Sequence, residues 1–245
     1  MTDQFNDKRA LVIGCETPAG AAIARAIGAE GAALGLATMR ADEGVLTARR
    51  IARERQAAGG TAAVYAFDVT LGQNVKVSTR QVTKELGGLD LLVSAPDRFH
   101  ASLLGATTDS DLAAVMVSNC YAHLFAVRAA ADEFRRGEGG RVLLVTHEAG
   151  ERSLPGAAAY AAAHAAAISL GTSLAEELQP RGIGLDVVIV GRAEWTNDEV
   201  GGTLVAALDD ASAGALGRLA VELLASPVSE TGRVVRLAEW IAEHA

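Results

Sequence analysis

Short runs of Val, Ile, Leu and Ala alternate along the chain with longer stretches in which apolar residues recur every three or four positions. The short runs have strand length and carry few charges, as expected of strands covered on both faces. They predict strands at Arg9 to Ile13, Ala32 to Ala37, Ala62 to Phe67, Leu89 to Ser94, Arg141 to Thr146, Leu185 to Val190 and Arg233 to Leu237. The longer stretches predict helices near Ala19 to Ala29, Asp42 to Ala58, Val75 to Leu86, Asp109 to Arg136, Ala157 to Leu178 and Ala211 to Ala225. Such alternation is the signature of crossovers in a parallel sheet, so the predicted class is α/β, a doubly wound sheet of about seven strands flanked by helices. The alanine-rich stretch from Ala157 to Ala167 reads as a buried helix rather than a linker, because alanine is the strongest helix former.

Composition narrows this further. With 245 residues, half of them hydrophobic, the chain can bury one sizeable core and is expected to be a single domain over 1–245. Thirty acidic against 22 basic residues give a net charge of -8, which works against a nucleic-acid partner. The opening MTDQFNDKRALVIG has no apolar core of a signal peptide, and no 18-residue run reads as apolar enough to span a bilayer. No membrane partner is therefore expected. Cys15 and Cys120 are too few for a disulfide framework and are expected to be reduced and buried, which together points to a cytoplasmic protein. His100, His123 and His244 are expected on exposed or partly buried faces.

The first strand runs into LVIGCETPAGAAIARAIGAEGA, a strand, a turn and a helix start where a dinucleotide pyrophosphate sits in proteins that bind one. This turn and the order of elements resemble the short-chain dehydrogenase/reductase family, whose turn reads Thr-Gly-x-x-x-Gly-x-Gly, on a Rossmann-like fold. Gly14 and Gly20 match the first and third glycines, Ile13 replaces the threonine, and Pro18 stands at the middle glycine. Proline has a bulky ring and no N–H to offer a phosphate, while it suits the first turn of a helix. Thr38 stands where NAD-preferring members carry an acid, Arg40 suits a 2′-phosphate or is a solvated charge, and Phe67-Asp68-Val69 keeps the family's adenine-contacting step. The usual Asn-Asn-Ala-Gly turn is replaced by Ser94-Ala95-Pro96-Asp97, and the usual Pro-Gly after the sixth strand by Val190-Gly191.

The resemblance also implies a catalytic group of Asn, Ser, Tyr and Lys. Asn119 and Tyr160 occupy two of those positions, whereas His147, thirteen residues before Tyr160, replaces the serine and His164, four residues after it, replaces the lysine. The i to i+4 step keeps Tyr160 and His164 on one helix face. An imidazole, with an ordinary pKa of about 6.5, is shorter than lysine and is not a permanent cation, so it does not lower a tyrosine pKa as an ammonium does. A metal site of His147, Glu148 and His164 lacks a two-histidine spacing on one element, and no metal is expected. The related halohydrin dehalogenases keep Ser, Tyr and Arg, of which the Ser and the Arg are missing here.

These departures lie on the cofactor path or at the reacting carbon. The expectation is a pseudoenzyme that binds no cofactor, with Asn119, His147, Tyr160 and His164 as vestigial catalytic positions and Gly14, Pro18, Gly20, Thr38, Arg40 and Asp68 as vestigial cofactor positions. The family builds oligomers through two long helices, here with small faces at Ala113, Val117, Ala126 and Ala130 and at Ala162, Ala166, Leu170 and Leu174. A hetero-oligomer with an active paralogue, an alcohol or hydroxyacyl-CoA dehydrogenase such as those of aromatic-compound degradation, is the expected assembly, with a homo-oligomer as the other form. The alternative is an atypical NADP(H)-dependent oxidoreductase that uses Tyr160 with His147 and His164.

Overall fold

A computed structural model describes residues 3–39, 44–134, 139–191, 195–196, 203–204 and 208–244. The elements run β1 (Arg9–Ile13), α1 (Pro18–Ala29), β2 (Ala33–Thr38), α2 (Gly44–Ala57), β3 (Ala62–Ala66), α3 (Gly72–Leu86), β4 (Leu91–Ser94), α4 (Asp109–Met116) and α5 (Ala122–Phe134). Then follow β5 (Gly140–His147), α6 (Ala158–Leu178), β6 (Ile183–Val190), the short pair β7 (Trp195–Thr196) and β8 (Thr203–Leu204), α7 (Asp210–Ala225), β9 (Val234–Arg236) and α8 (Leu237–Glu243). Seven strands form one sheet in the order β3-β2-β1-β4-β5-β6-β9, each neighbouring pair parallel. The predicted doubly wound sheet is present, and its direction of winding reverses between β1 and β4. That point is where crevices for ligands open in such folds.

Alternating side chains of each strand serve two cores. Ala10 and Val12 pack with Ile23 and Ile27 of α1 and Leu216, Leu219 and Leu223 of α7. Leu11 and Ile13 face Val75 and Val82 of α3 and Ala126, Ala130 and Phe134 of α5. Full burial of each Leu or Ile contributes about 1.5–3 kcal/mol, which is why the strands carry almost no charge. Thr17 caps α1 by accepting the Gly20 N–H at 3.0 Å, and Pro18 takes the first turn of the helix, where a missing N–H breaks no intrahelical bond.

Four expectations need correction. The helix expected over Asp109 to Arg136 is two helices joined by a π-helical turn at Val117–Tyr121, and Arg135 and Arg136 lie outside the described residues. The extra residue in that turn re-aims Asn119, whose amide ties down the chain after β4 as described below. The run Asp109–Phe134 is, against expectation, long and apolar enough by length and composition to cross a bilayer, with a mean hydropathy of 1.3. Half of that apolar stretch is buried inside the protein, as in a core helix. Ala126 and Ala130 are spent in the protein's own core and offer no face to a partner, whereas Ala113 and Ala162 are exposed and Ala166 and Leu170 half-buried. His123, finally, is fully buried, with Nδ1 2.9 Å from the Ser94 hydroxyl. Cys15 and Cys120 are buried free cysteines, as expected.

Candidate functional site

The C-terminal ends of β1, β4, β5 and β6 open into a cleft of about 520 Å³ that also touches the start of α1, the start of α7 and the face of α8. Its lining brings together residues far apart in the chain: Thr17 and Pro18, Pro96 and Asp97, His147, His164, and Gly191. The turn that carries Thr17, Pro18 and Ala19 to the cleft is shaped by two glycines. Gly14 has φ +77°, and a side chain there would meet the Ala95 carbonyl oxygen at 2.4 Å. A Cβ on Gly20 would stand 2.1 Å from the Gly14 carbonyl oxygen, so the turn and the helix can approach this closely only with glycine at both positions.

Of the residues expected on the adenosine side, Asp68 is exposed and uses Oδ1 to accept the Thr70 N–H and hydroxyl, holding the turn into α3. Thr38 is fully buried at the end of β2, and Arg40 lies outside the described residues. A carboxylate that sequence reasoning missed, Glu16, accepts the Met39 N–H at 2.7 Å and bridges the glycine turn to the end of β2.

The four catalytic positions converge around Asp97. Asn119 is buried and does not line the cleft. Its Oδ1 accepts the Arg98 N–H at 2.7 Å and its Nδ2 donates to the Arg98 carbonyl at 2.9 Å, which fixes the backbone beside Asp97. Tyr160, on α6, has no exposed surface. Its hydroxyl donates to Asp97 Oδ1 at 2.9 Å, and its ring packs edge-on against Phe99 with centroids 5.1 Å apart. Burial, and after it the negative charge of Asp97 and its hydrogen bond, push the tyrosine pKa up.

The histidines are held in defined tautomers. The His147 backbone N–H, which can only donate, lies 3.1 Å from His164 Nδ1, so Nδ1 of that ring is the acceptor and Nε2 carries the N–H. That Nε2 points toward Asp97 Oδ1 at 3.8 Å. The Ala149 N–H donates to His147 Nδ1 at 3.0 Å, leaving Nε2 of that ring to carry its proton. The His147 ring fills the space beside Gly191, where a Cβ would come within 2.3 Å of Nε2. Burial, followed by the neighbouring His164, pushes the His147 pKa down to about 4, so this ring is neutral near pH 7. Burial works to raise the Asp97 carboxyl but is outweighed by His164, Tyr160 and His147, and its pKa falls below the ordinary carboxylate value. Asp97 therefore stands ionised at the cleft wall.

The family spacing points to the four outer members of this group but not to its organising member, Asp97. As sequence, Asp97 reads only as part of a replaced turn. The readable signal was a carboxylate placed three residues after the end of a strand at the point where the sheet reverses.

The described elements and site geometry accord with what comparison with known proteins finds. Residues 8–199 match the family model of short chain dehydrogenases. This chain belongs to the short-chain dehydrogenase/reductase family. Among curated relatives, galactitol 2-dehydrogenase of Agrobacterium fabrum is 27% identical over 198 residues, 80% of this chain and 75% of that protein. A short chain dehydrogenase of Burkholderia cenocepacia, solved in complex with NADP, superposes with a TM-score of 0.80 at 29% identity, covering 95% of this chain and 97% of that one. A blue fluorescent protein from a metagenomic library, solved in complex with NADPH, gives the same TM-score, identity and coverage.

These two structures overturn the expectation that no cofactor is bound. That expectation weighed Pro18 as the loss of the cradle. Gly14 and Gly20, which the close approach of turn and helix requires, are intact, and the helix N-terminus survives with Pro18 at its first turn, so the loss of the middle glycine does not remove the features on which a dinucleotide's phosphates rest in such folds.

Proposed function

We propose that this chain is an NADP(H)-binding short-chain dehydrogenase/reductase that has given up proton transfer through its tyrosine and serves as a non-catalytic subunit beside an active paralogue. The observation that carries this reading is the Tyr160 hydroxyl, which is fully buried and donated to Asp97. A tyrosine that is to exchange a proton with a substrate oxygen must reach that oxygen and must ionise near neutral pH. Tyr160 lines no part of the cleft, and its neighbours raise its pKa where the family's lysine would lower it. Bound NADP(H) supplies hydride chemistry. The chain's own contribution is to hold the nucleotide, with Gly14, Gly20 and the start of α1 toward the phosphates and Asp97, His147 and Gly191 toward the opposite end of the cleft. The half-buried stripe of Ala166 and Leu170 beside exposed Ala162 on α6 supports a subunit contact there.

Titration with NADPH should give saturable binding by fluorescence, without NADPH consumption above background when ketones, aldehydes or hydroxyacyl-CoA precursors are added. Tyr160→Phe should leave both results unchanged. Turnover by the parent protein that disappears in Tyr160→Phe would defeat the proposal. Native mass spectrometry of the chain purified from its own host should show a hetero-oligomer with a dehydrogenase paralogue, and a homo-oligomer alone would remove the subunit role.

Pro18→Gly should tighten NADPH binding about tenfold, because it returns an N–H to the first turn of α1, and a hydrogen bond to a charged group is worth roughly 1.5–3 kcal/mol less the greater freedom of glycine. The same titration checks this, and unchanged affinity would argue against phosphate at that helix end.

A second reading is favoured by the cleft-lining pair of Asp97 and His164, with Nε2–H directed at the carboxylate. In that reading the chain is an oxidoreductase whose proton passes through His164 rather than Tyr160, with His147 at the same wall. Activity lost in His164→Phe and retained in Tyr160→Phe is its distinguishing result.

A further inference from the structure

We infer that Asp97 makes the cleft selective for the redox state of the nicotinamide cofactor, so that the cationic oxidised form is held more tightly than the neutral reduced form. This rests on the proposal that the chain binds NADP(H), and it adds a property that proposal does not contain.

The argument begins with which half of the cleft receives which half of a dinucleotide. Pyrophosphate belongs at the helix N-terminus beside the reversal point of the sheet. Here that is Thr17 and Pro18 at the start of α1, between β1 and β4. The ends of β2 and β3, with Thr38 and Asp68, lie on one side of it and the ends of β4, β5 and β6 on the other. The nicotinamide half therefore falls on the side walled by Asp97, His147 and Gly191.

On that side the fixed charge among the described lining residues is negative. The described lining of the cleft contains two carboxylates, Asp97 and Asp209, and no lysine or arginine. Asp209 caps the start of α7, its Oδ1 accepting the Ser212 N–H at 2.7 Å, whereas Asp97 stands on the nicotinamide side. Asp97 Oδ1 accepts from Tyr160, while Oδ2 makes no hydrogen bond among the described residues, and 38% of the side chain stays accessible. Asn119 pins the adjoining Arg98 backbone through both atoms of its amide, and the Tyr160 hydroxyl holds Oδ1, so the carboxylate is anchored at the cleft wall. His147 beside it is neutral near pH 7. The ionised carboxylate is thus held at Oδ1 and open at Oδ2, and the nearest basic group in the described lining is the His164 ring, 3.8 Å from Oδ1, with no described lysine or arginine there.

The two forms of the cofactor carry the same phosphates and the same adenosine, so their contacts with those parts cancel when the affinities are compared. What remains is one unit of positive charge on the oxidised ring. Opposite charges a few ångströms apart at a protein surface interact strongly enough to give a preference of about tenfold for the oxidised form. In the family's usual turn a glycine stands at position 97, so the carboxylate is this chain's own addition.

Dissociation constants for NADP+ and NADPH, measured by calorimetry at pH 8 on the parent protein and on Asp97→Asn and Asp97→Gly, test the inference. The parent should bind NADP+ about tenfold more tightly than NADPH, and the two variants should bring the ratio to about one, chiefly by weakening NADP+. Equal affinities in the parent, tighter NADPH, or a ratio that survives in both variants would overturn it while leaving nucleotide binding intact. If neither form binds, the proposed function fails first and this inference with it. Circular dichroism identifies a variant that does not fold, and the parent ratio decides even if both variants are lost.

Discussion

Lowering the pH from 7 to 4 should destabilise the fold by about 6 kcal/mol, the combined effect of two histidines buried in neutral form. His123 has no exposed surface and rests on the Ser94 hydroxyl, and burial, with the nearby His164, pushes its pKa down to about 3. His147 is 2% exposed and is pushed down to about 4 by burial and by His164. In the unfolded chain both titrate near the ordinary value of about 6.5, so acid protonates the unfolded state first and draws the equilibrium toward it. The stabilisation is complete above about pH 6.5, falls as the pH drops through the window between that value and the two folded-state values, and amounts to roughly 3 kcal/mol for each ring by pH 4. The carboxylates with lowered pKa, such as Asp97, lose their contribution only below the ordinary carboxylate value and so do not account for a slope at pH 5 to 6. Urea unfolding at half-unit steps should show that slope, and the double variant His123→Asn and His147→Ser should flatten it. A stability curve that is level from pH 6.5 to 4.5 would show that neither ring is held neutral.

The same two residues mark how far the sequence could be read. The sheet was legible because Ala10, Leu11, Val12 and Ile13 and their counterparts must be apolar on both faces, and composition alone carries that requirement. The break at Val117–Tyr121 was not, because a π-helical turn preserves the apolar content of a helix while changing which way Asn119 points. Helix α8 escaped notice because seven residues are too few to show a period, and Trp240 secures it by donating to Glu222 at 3.3 Å. In the site, the family spacing located Asn119, His147, Tyr160 and His164, of which the two histidines line the cleft while Tyr160 and Asn119 stand behind it, on Asp97 and on the backbone beside it. It did not locate Asp97, since a resemblance reports what has been lost from a motif and not what the replacement does. Glycine at that position leaves the Tyr160 hydroxyl free. A carboxylate captures it and so reverses the direction in which the tyrosine pKa is moved. The burial of His123 is hidden from the sequence for a similar reason, because its polar neighbour Ser94 lies on another element, and no local pattern connects the two.

Asp186→Ala should cost about 3–5 kcal/mol, enough to leave a domain of ordinary stability partly unfolded at 37 °C. Asp186 is completely buried in the middle of β6, where a lone carboxylate would be strongly disfavoured. It is held by two arginines from the neighbouring strands. Arg141 of β5 pairs with Oδ2, and Arg233, just before β9, donates from its backbone to Oδ1 at 2.9 Å and from its guanidinium to Oδ2 at 2.8 Å. Arg141 also donates to the Leu223 carbonyl at 2.7 Å, which ties the sheet to the last turn of α7. Removing the carboxylate leaves the Arg141 guanidinium, itself 8% exposed, with its charge unopposed. Asp186→Asn should cost less, because the amide can still accept one hydrogen bond. A loss below 1 kcal/mol by urea unfolding of Asp186→Ala would mean that water enters to solvate Arg141. The consequence for the site is indirect but measurable. β5 ends at His147, β6 ends at Val190 just before Gly191, and α7 with α8 closes the outer wall, so the elements joined by this one carboxylate bound half the cleft. Nucleotide affinity should fall in Asp186→Asn by several-fold even where the fold survives, and affinity kept at the parent value would show that the cleft is built independently of the network beneath it.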